Sequence, residues 1–516
     1  MYKNLRSLCS LLLICLVVSS CKKTNSGDDA HDGPPPPDIG GLKMKRGLVL
    51  KTLEATRGYI LFNTLSSGHT YLIDLDGRVV HSWDNQYGPS GGMYLKDNGN
   101  LVRSARDPLA PVYGGGGQGG YFQEFTWSGD LIWEYRYATP AHLAHHDMAL
   151  MPNGNILAIA WEGKTVDEAL EAGRSSDKIT KAGVWSESIV EIKPRGKNEG
   201  EIVWEWHLWD HLIQDTDSTK KNFGRPNEHP GLLNVNLGHS LPKPVTQEEL
   251  DKQKAANNAV TNATIDNRGA DMFHFNAIDY HPELDQIVLS SPNLGEIFIL
   301  DHSTTTAEAA SHSGGRYKKG GDFLFRWGNP QNYNRGDSTD TKLGGQHDVR
   351  WIPQDYPGAG HLLVFNNNVP GGGPPHSAIF EIETPKQVDG SYTLEDDKAF
   401  GPDAPVWQYV AADTVSFWSP FISGAHRLAN GNTFITEGAK GRYFEVTPQG
   451  DIVWDYLTPY AGTLKMPDGT SPQPISNFIH ATFRATHIAL DDPALTHKKL
   501  EVLQPQPDFD LPAINH

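Results

Sequence analysis

Residues 449–456 read QGDIVWDY. A glycine-bearing turn leads into two β-branched residues, a tryptophan, an acid and an aromatic, the pattern of a turn that opens a β-strand. The same pattern recurs through the chain. It is DGRVVHSW ending at Trp83, SGDLIWEY at 128–135, EGEIVWEW at 199–206, GGDFLFRW ending at Trp327, and DAPVWQY at 403–409. Six copies of one strand-bearing unit select a repeat architecture before any other reading is made.

Each copy is accompanied by further strand patterns. HHDMALMPNGNILAIA (145–160) and GAHRLANGNTFITE (424–437) superpose almost residue for residue, and GGMYLKDNGNLVRSA (91–105) shares their turn. Asn-Gly is a strong short hairpin signal, because both turn positions accept positive φ. HFNAIDYHPELDQIVLSS (274–291) and QHDVRWIPQDYPGAGHLLVF (346–365) read as the same hairpin with longer turns. A third strand, as in GRYFEVTPQG, leads into the next tryptophan. The unit is therefore about four antiparallel strands, and six units predict an all-β fold, a six-bladed β-propeller with short helical insertions in its loops. The tryptophans are expected to pack blades together. The longest insertion is expected at about 207–270, where Thr246 and Glu249 in TQEELDKQ form a capping box. TVDEALEAG (165–173) reads as a second short helix. RGYILFN (57–63) has no complete blade before it and ATFRATHIAL (481–490) follows the last, so the two are expected to share a blade and close the ring.

The ends and the composition bound the function. MYKNLR is a basic opening, SLCSLLLICLVVSS a short apolar run, and Cys21 follows a small residue. This resembles a lipoprotein signal over residues 1–21, with Cys21 as the lipidated mature N-terminus and 22–45 as a polar, proline-rich tether. The expected site of action is the cell envelope of a bacterium, on its periplasmic or outer surface, with membrane contact through the lipid anchor alone. Residues 46–516 are expected to be one propeller domain. All three cysteines, Cys9, Cys15 and Cys21, lie in the leader, so the body has no thiol for a disulfide, a thiolate metal site or cysteine catalysis. A formal net charge of −18 argues against nucleic acid as a partner, because phosphate binding needs a basic surface.

The histidines carry the chemistry. In a propeller the innermost strand of each blade lines the central channel. His146, His274, His347 and His426 fall near the start of that strand in four different blades, Met93 stands there in a fifth, and His480 or His487 could come from the closing blade. Histidines far apart in sequence would then meet at one mouth of the channel. Three chemistries suit such a mouth: metal binding, acid–base catalysis on a polar substrate, and covalent catalysis by an imidazole. Apart from Asp147 and Asp348, each beside a histidine, no carboxylates stand at ligand spacing, so neither a catalytic metal nor a cofactor is expected. Two other classes stay open at this point. One is a non-catalytic surface propeller that binds a glycan or a protein; the other is a propeller polysaccharide lyase.

HDMALMPNGN (146–155), HFNAIDY (274–280), SS (290–291), GGQHD (344–348) and the tryptophan repeats together resemble the bacterial arylsulfotransferases that use an aryl sulfate and no nucleotide donor. The likeness runs from about residue 57 to 490. It implies sulfuryl transfer from an aryl sulfate to a phenol, in two steps, through a sulfohistidine. His347 of the Gln-His pair matches the family's nucleophile, and His146, His274 and Asn276 match its donor-binding residues. The family's Ser-Ser-Arg reads SSPN here, so Pro292 stands where an anion-binding arginine is expected. Arg350 and Arg427 are the candidate replacements for that charge, and His426 a further substrate-binding candidate.

Overall fold

The computed structural model describes residues 45–110, 112–255, 263–462 and 478–507. The leader, Cys21 and nearly all of the tether lie outside these residues. The described chain is a six-bladed β-propeller with few helices. In chain order the innermost strands of blades two to six are Pro89–Leu95, His142–Leu150, Ala277–His281, His347–Trp351 and Gly424–Arg427. Each is followed by three antiparallel strands running outward. Blade one is assembled from both ends of the propeller. Its inner strand, Ala485–Ala489, pairs with Gly58–Asn63, so the two segments expected to close the ring do so. A fifth strand, Gly47–Lys51, adds to the outside of blade six against Ile452–Leu457. The sequence pattern did not show it, because this strand lies on a rim where Leu48, Val49 and Leu50 are exposed.

The repeated tryptophans stand on the fourth strands, counted outward, and join each blade to the next. The indole N–H of Trp83 donates to Thr126 O (3.0 Å) and that of Trp133 to Glu199 O (2.8 Å). Trp327 donates to Pro402 O (2.7 Å), Trp407 to Pro448 O (2.8 Å), and Trp454 to Leu75 O (2.9 Å). Trp204 alone meets a side chain, Thr304 Oγ1 (3.1 Å). Each acceptor lies near the turn before, or at the start of, the next blade's outer strand, so a single residue type closes all six junctions. A tryptophan suits the place because it buries a large apolar surface and still has one N–H to satisfy.

The insertion between Glu199–His207 and Ala277–His281 carries a small parallel pair, Leu212–Ile213 with Leu233–Asn234, and the helix Gln247–Ala255. That helix starts at Thr246, whose Oγ1 accepts from Glu249 N while Glu249 Oε2 accepts from Thr246 N, as the capping box requires. Val166–Glu171 has the same cap from Thr165 and Glu168.

Candidate active site at the channel mouth

Inner strands carry polar residues that a buried strand could not otherwise hold, and the structure shows two uses for them. The first is a second ring of junctions. Asp147 Oδ2 of blade three accepts from Ile278 N of blade four (3.3 Å). Asp279 Oδ2 accepts from Trp351 N of blade five (2.9 Å), and Asp348 Oδ2 accepts from Ala425 N of blade six (2.9 Å). His426 Nε2 accepts from His487 N of blade one (3.1 Å), and Tyr94 OH donates to Met148 O across the junction of blades two and three (2.8 Å). Buried Arg484 bridges the acids, with Nη2 to Asp147 Oδ2 and Nε to Asp348 Oδ1, both 2.8 Å. Arg350 Nη2 meets Asp348 Oδ1 at 2.7 Å.

The second use is the histidine cluster above that ring. His347 is buried. Its Nδ1 is 2.9 Å from both Asn367 Oδ1 and Gly345 O. Asn367 spends its amide N–H groups on Ser419 O and Ile422 O (2.8 Å each), so its carbonyl must face the imidazole. Both groups at Nδ1 are then acceptors, and Nδ1 carries the proton. Nε2 is left with its lone pair, which accepts the N–H of Ile422 at 3.2 Å. Burial pushes the imidazolium down to about 4, with the Asn367 bond opposing it and the nearby His274 and Arg484 adding to it. His347 is neutral at pH 7, and its acceptors assign the proton to Nδ1.

His274 adopts a left-handed backbone (φ 55°) and sets Nδ1 2.5 Å from Asp271 Oδ2. Its ring meets His146 edge-on at 4.4 Å between centroids. His146 is also left-handed (φ 51°), in a bulge where His145 to Asp147 oppose Ile159 alone. Its Nδ1 lies 2.8 Å from Nδ1 of buried His145, whose Nε2 lies 2.9 Å from Glu187 Oε2. Phe483 contacts both sides of the cluster, 6.3 Å from the His146 ring and 6.4 Å from that of His347. It belongs to an apolar wall with Ile422, Phe478 and Ala481.

Blade two makes room for this. Its inner strand has Gly91 and Gly92 where other blades have larger residues. A Cβ on Gly91 would lie 2.1 Å from His146 O, and one on Gly117 (φ 70°) 2.3 Å from the His146 ring. The absence of a histidine from this blade is thus a packing requirement of the next.

His146 and His274 meet ring to ring and His347 stands across Phe483 from His146, whereas His426 bonds the closing blade. His426 is the penultimate residue of its strand, as Arg350 is of its own, and both belong to the inter-blade ring. His480 bonds Tyr460 O and His487 bonds Thr56 O, so the closing blade gives the cluster Phe483 and not a histidine. Asn276 is fully buried, with Nδ2 donating to Gln346 O at 2.8 Å. Gln346 in turn donates from Nε2 to Ser290 Oγ, Ser291 O and Glu296 O. The motif residues Asn276, Ser290, Ser291 and Gln346 thus lock blade four to blade five behind the nucleophile. Asp348 faces Arg484 and Arg350 and orients no imidazole. Arg427 is paired with Glu381 and lies over Trp407, between blades five and six.

Six residues of the site were not identified from sequence: His145, Glu187, Asp271, Asn367, Phe483 and Arg484. Arg484 and Phe483 stood in a segment assigned only to ring closure. Asp271 lies three residues before His274 and Asn367 just past the end of the strand after His347, Leu362–Asn366, which is the signal that could have found them.

The chain matches the arylsulfotransferase (ASST) family over residues 43–455. It belongs to that family. At family level it is therefore an enzyme of the arylsulfotransferase kind, whose substrates are aryl sulfates and phenols. No curated protein matches the chain. Among solved structures it is similar to a protein of unknown function from Bacteroides caccae, at 11% identity and a TM-score of 0.41, covering 84% of this chain and 99% of that one. It is also similar to a virginiamycin B lyase from Staphylococcus aureus, at 10% identity and a TM-score of 0.31, covering 80% and 88%. Both likenesses are too distant to bear on chemistry.

Within the arylsulfotransferase frame, Pro292 begins the turn after Ser291, closed by Gly295 N donating to Pro292 O at 3.3 Å. Neither Arg350 nor Arg427 reaches the cluster in its place. One possible metal-ligand group is found among the described residues, His211, His312 and Asp322. It lies at the outer edge of blade three, where His211 stacks on Trp206, and has no part in the channel mouth.

Proposed function

We propose that this arylsulfotransferase moves a sulfuryl group from an aryl sulfate to a phenol through a sulfohistidine at Nε2 of His347. The observation that carries the reading is the tautomer of His347. Asn367 and Gly345 hold the proton on Nδ1, and burial keeps the ring neutral, so Nε2 keeps its lone pair for attack, which the donor reaches by displacing the Ile422 N–H. In the first step the Nε2–S bond forms as the S–O(aryl) bond breaks, and the phenolate leaves with the S–O pair. His146 and His274 stand beside His347 to donate to the sulfuryl oxygens and to the leaving oxygen. His274, oriented by Asp271, takes the place of the arginine replaced by Pro292 as a hydrogen-bond donor to the sulfuryl group. The wall of Phe478, Phe483 and Ile422 suits an aryl ring. In the second step an acceptor phenol loses its proton and takes the sulfuryl group from nitrogen. Incubation with 4-nitrophenyl sulfate, followed by intact mass, tests this: one added sulfuryl group per chain is expected in the wild type and none in His347→Asn. Aryl oxide release without any adduct would overturn the covalent step.

We also infer that the chain is held at a bacterial membrane through Cys21, on the strength of the apolar run and the small residues before that cysteine. Labelled palmitate should enter the wild type and not Cys21→Ser; equal labelling of both would end this reading.

A further inference from the structure

Behind His146 stands a line of buried groups that hydrogen bonding to substrate does not require. His145 is fully buried and stacks on Trp161, ring centroids 4.0 Å apart and planes at 12°. Its two nitrogens are both engaged, Nδ1 by His146 Nδ1 at 2.8 Å and Nε2 by Glu187 Oε2 at 2.9 Å. Glu187 is fully buried in the third strand of blade three, Val184–Arg195. Its other oxygen, Oε1, accepts from Phe275 N at 2.9 Å. Two nitrogens that face each other at hydrogen-bond distance share one proton, so the donor at one end of the line decides the donor at the other.

Only two arrangements keep both histidines neutral. With Glu187 protonated, Oε2–H donates to His145 Nε2, His145 Nδ1–H donates to His146 Nδ1, and His146 carries its proton on Nε2. With Glu187 ionised, His145 Nε2–H donates to the carboxylate, His146 Nδ1–H donates to His145, and His146 Nε2 is an acceptor. Resting on the sulfuryl-transfer reading, we propose that Glu187 and His145 are positioning residues of a proton relay. The relay makes His146 Nε2 a donor for the first half-reaction and an acceptor for the second.

The balance closes. In the first half-reaction His146 Nε2–H passes its proton to the leaving phenolate, the Nδ1 proton of His145 moves to His146 Nδ1, and the Glu187 proton moves to His145 Nε2. Glu187 is left as a carboxylate while His347, bonded to sulfur, takes on imidazolium character, so the buried charges compensate. The acceptor phenol reverses every transfer. Burial, together with the nearby Asp271 carboxylate, raises the Glu187 carboxyl well above the usual range, against the N–H groups of Phe275 and His274. His145 is held neutral by burial and by His274. The groups facing the relay are thus Asp271, Glu162 and His274. Trp161, Gly117 and Phe483 close the remaining sides of the His146 ring.

Glu187→Gln separates the two arrangements. Phe275 N–H holds Oε1, so the side-chain NH₂ must point at His145 Nε2, and His146 stays a donor. 4-Nitrophenolate is a stabilised anion that leaves with a hydrogen bond from His146 Nε2–H and without proton transfer. The first half-reaction should therefore keep its rate to within a few-fold, read as a burst of 4-nitrophenolate. Transfer from the sulfurylated enzyme to a phenol should slow by about 10²-fold or more, the usual worth of a general base. Burst amplitude counts folded sites, so a folding defect lowers the amplitude and leaves the ratio of the two rates to decide. Equal slowing of both steps, or of neither, overturns the relay. A readout without substrate is ¹⁵N-histidine NMR. In the wild type, raising the pH should move the His146 proton from Nε2 to Nδ1; in Glu187→Gln it should stay on Nε2. The same pH response in both proteins overturns the relay too. A wild type with no burst would sink the sulfuryl-transfer reading, and the NMR comparison would still decide the relay.

Discussion

The outer rim and the channel mouth solve the same problem, the joining of six blades, in opposite ways. At the rim one residue type does it six times: a tryptophan buries its ring and gives its N–H to the next blade, from Trp83 through Trp454. At the inner strands the residue type varies from junction to junction. Asp147, Asp279 and Asp348 accept backbone N–H groups, His426 does so with a ring nitrogen, and Tyr94 donates. A junction that only has to hold can be copied with the repeat. One that also surrounds a reacting group cannot, because the neighbours of His347 must each do something different.

The comparison breaks most sharply at His347. His347→Asn should reduce turnover of an aryl sulfate by roughly 10⁴-fold or more, since removal of a covalent nucleophile leaves only binding and electrostatic assistance. Circular dichroism and the melting temperature should stay near those of the wild type. A variant with measurable sulfurylation would return the channel mouth to a merely structural role.

Asn367 is the next largest test. Asn367→Leu keeps the volume and removes the group that holds the Nδ1 proton, so the reactive nitrogen is no longer selected. The sulfurylation rate should drop by about 10²–10³-fold, while saturation with the donor changes little. A change confined to KM would mean that Asn367 binds substrate and does not orient His347.

The junction between blades three and four sharpens the rim side of the comparison. Here Trp204 meets a side chain, and His302 is added beside it, buried between Asp285 (2.7 Å) and Glu191 (3.3 Å). His302 lies outside the inner strands that carry the other histidines, and the two carboxylates draw it inside. Burial lowers its proton affinity, but hydrogen bonds and charge from Asp285 and Glu191 outweigh this and raise it from 6.5 to about 9. A raised folded-state value stabilises the protein fully below pH 6.5, and that contribution is lost as pH climbs through 9. It amounts to about 3 kcal/mol. Urea midpoints should therefore fall between pH 6.5 and 9 in the wild type, and more shallowly in His302→Gln. Parallel pH curves for the two proteins would remove His302 from the account.

The smallest effect belongs to a single rim tryptophan. Trp133→Phe keeps most of the buried ring and loses one neutral hydrogen bond, about 1 kcal/mol with the lost volume adding a similar amount. The denaturation midpoint should drop slightly while aryl sulfate turnover is unchanged. A loss of turnover as large as that of Asn367→Leu would show that the rim is coupled to the mouth and would dissolve the distinction.

Blade number, ring closure and the trio His146, His274 and His347 were legible in the chain, because each repeats a turn and a strand whose spacing is local. The extra strand Gly47–Lys51 was not, since an exposed edge strand carries little hydrophobic pattern. The place of His426 was legible but overlooked: counted back from the shared NGN turn, His146 stands seven residues before Asn153 and His426 only four before Asn430, so His426 falls to the inter-blade ring.

What the sequence by itself determined is the set of local signals: glycine turns, alternating strands, one tryptophan per blade and a histidine near the head of several inner strands. What only the tertiary structure decided is which atoms face which. Asn367 comes from just past the end of the strand beside His347, Glu187 from two strands outward of His146, and Arg484 from the far end of the chain, where ring closure brings it between Asp147 and Asp348. Tautomer, protonation and charge pairing depend on contacts across blades. A repeat read along the chain gives the order of the blades, but the proton on His347 is placed by residues that meet it only once the ring has closed.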